Sequence, residues 1–178
     1  MRRCWGVPAM NYADARSRIQ SGDVMAFTHR GWTSWYDIKI QLVRLVTRSE
    51  YSHVGIAWAF GGRVFVIESV TPVIRIMPLS NLLPCYWINT GASWGTDAEE
   101  FALSLVGKGE YSQWEAIMAF FGKNSKLNDR WQCAEFVKSV LARCRVFLRG
   151  KDTPSDMVQD ALVKGANLNF LDNYHDIY

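Results

Sequence analysis

Long apolar runs are missing from this chain. No stretch in its 178 residues reaches the length of a bilayer span, so no membrane-crossing helix is expected. Cysteine is sparse, with four residues at 4, 85, 133 and 144. They form no Cys-x-x-Cys pair and no regular framework, so neither a zinc site nor a disulfide scaffold is indicated. No metal or cofactor is expected. Histidine is scarcer still, so any imidazole chemistry must use His29, His53 or His175. A large charge of one sign is also lacking. The formal net charge is +3, too small to argue for nucleic acid. Basic residues do cluster at Arg2, Arg3, Arg16 and Arg18, and again at Arg143, Arg145, Arg149 and Lys151. Solvated helix faces explain both clusters, with weak attraction to an anionic polymer or membrane surface as the alternative. The run Met1-Arg2-Arg3-Cys4-Trp5-Gly6 carries charge with no apolar stretch behind it. No signal peptide is therefore expected, and the chain reads as made in the cytoplasm. Release by lysis or carriage in a particle would still let it act elsewhere.

What remains is an ordinary globular balance, 49% apolar and 21% charged, enough for one domain with a substantial core. No repeat or low-complexity linker divides it. Asn11 to Gln20 suggests a short helix stopped at Ser21-Gly22, followed by a strand from Asp23 to Thr28. Ser34 suits the N-cap of a helix through Val46. His53 to Phe60, Gly61-Gly62 and Arg63 to Ser69 give a strong hairpin signal. Further strands are expected at Val73 to Met77 and Cys85 to Asn89. The chain then turns helical, with capping boxes at Thr96 to Glu99 and Ser112 to Glu115. Thr153 before Pro154 starts a last helix that Lys164-Gly165 ends. The core is expected over about 21–165, with residues 166–178 as a tail. Strands gathered between helices point to an α+β domain with a small antiparallel sheet or barrel.

Within it, Cys133 stands in the run Trp131-Gln132-Cys133-Ala134-Glu135-Phe136-Val137. Phe136, Val137, Val140 and Leu141 fall at helical spacing, and Asp129 three residues before Gln132 resembles a capping box. This reading puts Cys133 in the first turn, where unpaired N–H groups and the macrodipole favour a thiolate. Its backbone N–H is then the better-placed oxyanion donor. A nucleophilic thiol needs a base, and the hairpin register names one. A two-residue loop pairs Phe60 with Arg63 and hence Gly55 with Glu68. His53 shares a face with Gly55, so His53 and Glu68 are diagonal neighbours, with open space expected at Gly55. Glu68 interrupts the apolar run Val64-Phe65-Val66-Ile67, and a carboxylate there needs a partner. Cys133 as nucleophile, His53 as base and Glu68 as orienter follow the triad logic. A buried Cys133 beside an unrelated His53–Glu68 pair is the bland alternative.

Four segments sharpen the choice. Ser21-Gly22-Asp23-Val24-Met25-Ala26-Phe27, Tyr51-Ser52-His53-Val54-Gly55-Ile56, Val66-Ile67-Glu68-Ser69 and the run around Cys133 resemble the permuted papain-like cysteine hydrolases. These form the circularly permuted branch of the NlpC-type superfamily, which includes the lecithin-retinol acyltransferase-like proteins. The histidine strand precedes the cysteine helix here, as in that branch, and the resemblance runs from about Ser21 to Pro154. It implies a papain-like core in permuted order, with Cys133, His53 and Glu68 in the catalytic positions. It also implies thiol-dependent cleavage of an amide or peptide bond, with bacterial cell-wall peptidoglycan as the leading substrate. A lipid or acyl ester, hydrolysed or transferred, is second, and a silent module that binds a partner is third. The lecithin-retinol acyltransferase-like motif has Asn before the cysteine and Glu-His after it. Gln132 and Ala134-Glu135 depart from that and weigh against lipid acyl transfer. Tyr51, on the face of His53 by alternation, and Gln132 are candidate oxyanion donors, each with a packing or capping role as the alternative. Trp32 and Trp35 are candidates for lining a substrate groove. Cys144 reads as packed rather than reactive.

Overall fold

A computed structural model describes residues 7, 9–28, 51–70, 73–107, 129–149 and 152–173, with backbone alone for 129–132. The expected helix over Ser34 to Val46 and the capping box at Ser112 lie outside the described residues.

The strands are β1 (Ala9–Asn11), β2 (Val24–Phe27), β3 (His53–Phe60), β4 (Arg63–Val70), β5 (Val73–Pro78), β6 (Cys85–Asn89) and β7 (Asn167–Asp172). The helices are α1 (Tyr12–Ala15), α2 (Thr96–Ser104), α3 (Asp129–Arg143) and α4 (Pro154–Val163). The chain is α+β, and its seven strands make one sheet in the order β1-β7-β6-β2-β3-β4-β5. The sheet is mixed rather than antiparallel, because β1 runs parallel to β7. The expected tail is also corrected. Residues Asn167–Asp172 form β7, which joins β6 to β1 inside the sheet.

Side chains alternate across the sheet and divide the core in two. Val24, Ala26, Val54, Ile56, Ile67, Ile74, Tyr86 and Ile88 share one apolar cluster with Phe136, Val137, Val140 and Leu141 of α3. Residues of α2 and α4 join the same cluster. Met25, Ala57, Val64, Val66, Cys85, Trp87 and Leu171 form the other, under Ala15, Ile19, Leu79 and Leu83. The expected first helix proves shorter, with α1 followed by a 3-10 turn at Arg16–Arg18. Asn11 caps α1, its Oδ1 accepting from Ala13 N–H at 2.9 Å. In α2 the N-cap is Gly95, not Thr96, and no side chain caps it. Thr153 does cap α4, accepting from the Asp156 N–H, with Pro154 at the first helical position.

The turn before β2 is built around Asp23. Gly22 takes φ +93°, which a side chain resists. Asp23 is buried and accepts hydrogen bonds from Trp87 Nε1 at 2.8 Å and the Gln20 N–H at 2.9 Å. The Thr90 N–H adds a third, at 3.3 Å. Burial pushes its carboxyl pKa up, and these donors pull against that shift. The Gly22-Asp23 turn thus ties β2 to β6, and β2 carries Phe27 to the edge of the site described next.

Candidate active site

The hairpin β3–β4 pairs Phe60 with Arg63 and Ile56 with Ile67, the register that a Gly61-Gly62 loop dictates. One step further along, Gly55 faces Glu68. His53 Nε2 lies 2.8 Å from Glu68 Oε2. Strand β5 adds what the sequence reading missed: Arg75 sits opposite Glu68. Its Nε donates to Glu68 Oε1 at 2.8 Å, and its Nη2 lies 2.7 Å from the same oxygen. The clue was present in the sequence. In the sequence two residues, Thr71 and Pro72, separate Val70 from Val73; the two valines pair, and counting back from them aligns Glu68 with Arg75.

Glu68 is 2% exposed. A carboxylate so far from water needs charged partners, and it has an imidazole on one oxygen and a guanidinium on the other. Its pKa is lowered overall: burial, the largest influence, raises it, and the His53 and Arg75 contacts outweigh burial.

By alternation His53 and Glu68 belong to the sheet face of Ala57 and Val66, whereas the apolar side of α3 packs on the other face. His53 is the first residue of β3, at the end of the sheet, and there it also hydrogen-bonds Cys133 of α3. Since Nε2 is on Glu68, Nδ1 is the ring atom left for the thiol. The Phe27 ring stacks beside the imidazole at 5.8 Å between centroids. Just before it, Ser52 N–H and Oγ both donate to the Phe27 carbonyl, at 2.9 and 3.1 Å. The entry to β3 is thereby pinned. Burial alone lowers the His53 pKa. The hydrogen bonds and charges of Cys133 and Glu68 overcome it and push the value up to about 10.

That shift has a sign for stability. The folded value lies above the ordinary 6.5, so the contribution of the imidazolium is complete below pH 6.5 and is lost as pH rises through about 10. Glu68 works oppositely, contributing above its ordinary 4.5 and losing that contribution as pH falls through its lowered value. The Tm difference between the wild type and His53→Gln is therefore expected to be largest between about pH 4.5 and 6.5 and to shrink toward pH 10. Calorimetry across that range checks it, and a difference constant with pH would rule out the ion pair.

The remaining candidates divide. Cys133 is not in the first turn, because α3 begins at Asp129 and Cys133 is its fifth residue. Its N–H is thus bonded within the helical ladder and is not an oxyanion donor. Asp129 is the first helical residue rather than the cap. Gln132 lies in α3, with its side chain outside the described residues. Tyr51 is buried in the same apolar cluster as Cys133 and Tyr86, and its ring meets Tyr86 edge-on at 5.4 Å. Trp32 and Trp35 lie outside the described residues, as do His29 and His175. Trp58 and Trp87 spend their indole N–H groups on Glu99 and Asp23. Cys85 and Cys144 are buried thiols whose pKa burial raises, that of Cys144 to about 11. Among the described residues, no group of three or more His, Cys, Asp or Glu is placed to hold a metal ion.

No family model matches this chain, and no curated protein matches it. Among solved structures it is similar to the crystal structure of the metalloprotein yiiX from Escherichia coli O157:H7, described as DUF1105. The two are 20% identical over 74% of this chain and 69% of that one, with a TM-score of 0.49.

Chemically, the His53 site places a thiol, an imidazole and a buried carboxylate in series. The imidazole is 25% exposed, while Cys133 is 1% exposed. Solvent meets the site on the imidazole side. No helix among the described residues is long and apolar enough to cross a membrane.

Proposed function

We propose that this chain is a cysteine hydrolase of the permuted papain-like, NlpC-related kind, cleaving an amide or peptide bond through an acyl-enzyme. The observation that carries the reading is the double engagement of His53, with Glu68 at 2.8 Å on Nε2 and Cys133 as its second partner. Glu68 fixes the ring and favours its protonated form, and the ring in turn takes the proton of the thiol. The Cys133 sulfur attacks the carbonyl carbon, forming a C–S bond. Collapse of the tetrahedral species breaks the C–N bond, and His53 gives its proton to the departing amine. Water then attacks the thioester with His53 as base. It releases a carboxylic acid and restores the thiol.

By resemblance, the leading substrate is a peptide or amide of bacterial cell-wall peptidoglycan, met by a phage-borne or lysis-released enzyme. An acyl or lipid ester follows it. Mass spectrometry after brief incubation with cell-wall peptide fragments or acyl esters tests both. An acyl adduct is expected on the Cys133 peptide, and its mass identifies the substrate class. An adduct on another residue, or none alongside measurable turnover, removes Cys133 as nucleophile. The burial of Cys133 favours a second reading, a catalytically silent module that binds through the same site. Binding of fragments without adduct or turnover would select it.

A further inference from the structure

We propose that Arg75 is a positioning residue of this site that acts by its charge: it holds one oxygen of Glu68 while the other faces His53, and so offsets part of the charge that His53 senses. Its consequence for catalysis rests on the reading of His53 as the base for Cys133. The geometry stands apart from that reading. Both contacts of Arg75 go to Oε1, at 2.8 Å from Nε and 2.7 Å from Nη2, and His53 takes Oε2. Arg75 itself is 44% exposed and stands on β5, at the edge of the sheet. It is thus held by Glu68 alone among the described residues, and no second acid competes for it. Its effect on the site is on the charge of a buried group, Glu68, whose carboxylate needs that partner.

Among the described residues, the charged and titratable groups that meet His53 are Glu68 from β4 and Cys133 from α3. Strand β2 offers the Phe27 ring, which carries no charge. Arg75 reaches the imidazole only through Glu68. Removing its charge leaves the carboxylate less compensated, so the imidazolium is held more strongly.

The test is a proton-resonance titration of His53 in the full chain, with the signal assigned by its loss in His53→Gln. In Arg75→Gln the His53 midpoint is expected to rise by roughly half a unit, the scale of one charge lost near the surface. In Arg75→Lys, which keeps the charge, the midpoint is expected to stay near the wild type. A midpoint that is unmoved or lower in Arg75→Gln overturns the proposal. Iodoacetamide alkylation of Cys133, followed against pH in the same proteins, separates the two ideas. A rate indifferent to His53→Gln removes the thiol–imidazole reading and leaves the titration result for Arg75 standing. A titration indifferent to Arg75→Gln, with alkylation still dependent on His53, removes Arg75 and leaves the nucleophile.

Discussion

Turnover is expected to fall by about a thousandfold or more in Cys133→Ala, and by a similar factor in His53→Ala. The double variant is expected to be no worse than either single one. The argument is that the two side chains act as a unit. Without the sulfur there is no atom to carry the acyl group. Without the imidazole the thiol keeps its proton, and the departing amine receives none. Once either is gone, the other has nothing left to contribute, so the losses do not add. Steady-state rates on the substrate class identified by the acyl adduct measure this. Circular dichroism confirms that each variant folds, which matters because Cys133 packs in the cluster of Phe136, Val137 and Tyr86. Wild-type turnover in Cys133→Ala would remove the thiol from the mechanism. Losses that multiply in the double variant would place the two residues in separate roles.

Part of this site is legible without coordinates, for a physical reason. A two-residue glycine loop leaves the hairpin no freedom of register, so the row containing His53, Gly55 and Glu68 follows by counting. The same counting from the Val70–Val73 pair leads to Arg75. Features set by distant partners are not legible in this way. Asn167–Asp172 is rich in Asn and Asp, which favour turns over strands. It becomes β7 because β6 and β1 lie on either side of it. The start of α3 is not legible either, because Asp129 suits a cap as well as the first helical residue that it is. The consequence is chemical, since it withdraws the Cys133 N–H from the list of oxyanion donors. At Gly95 an extended backbone, φ −124° and ψ 175°, makes glycine the cap where Thr96 offers a hydroxyl.

Gly55 carries the second large effect, and here the sequence expectation of open space is reversed. A Cβ built at Gly55 would lie 2.4 Å from Val66 Cγ1, 3.1 Å from the Ile67 carbonyl oxygen and 3.2 Å from Glu68 Cβ. The glycine is therefore a packed contact, and its missing side chain is what lets β4 bring Glu68 in. Gly55→Ala is expected to cost about 1–3 kcal/mol, toward the upper end, because overpacking forces a shift and the carbonyl cannot yield by changing rotamer. Chemical denaturation with an unchanged m-value measures that cost. The movement available is of β4 away from β3, which lengthens the contact between His53 Nε2 and Glu68 Oε2. The His53 titration midpoint should then fall from its raised position toward the ordinary 6.5, in the opposite direction from Arg75→Gln. An alanine variant of wild-type stability and unmoved midpoint would show that Val66 turns aside at no cost, and that the approach of the strands does not depend on glycine. A loss of stability with the midpoint held would confine the role of Gly55 to packing and show that the His53–Glu68 contact does not depend on it.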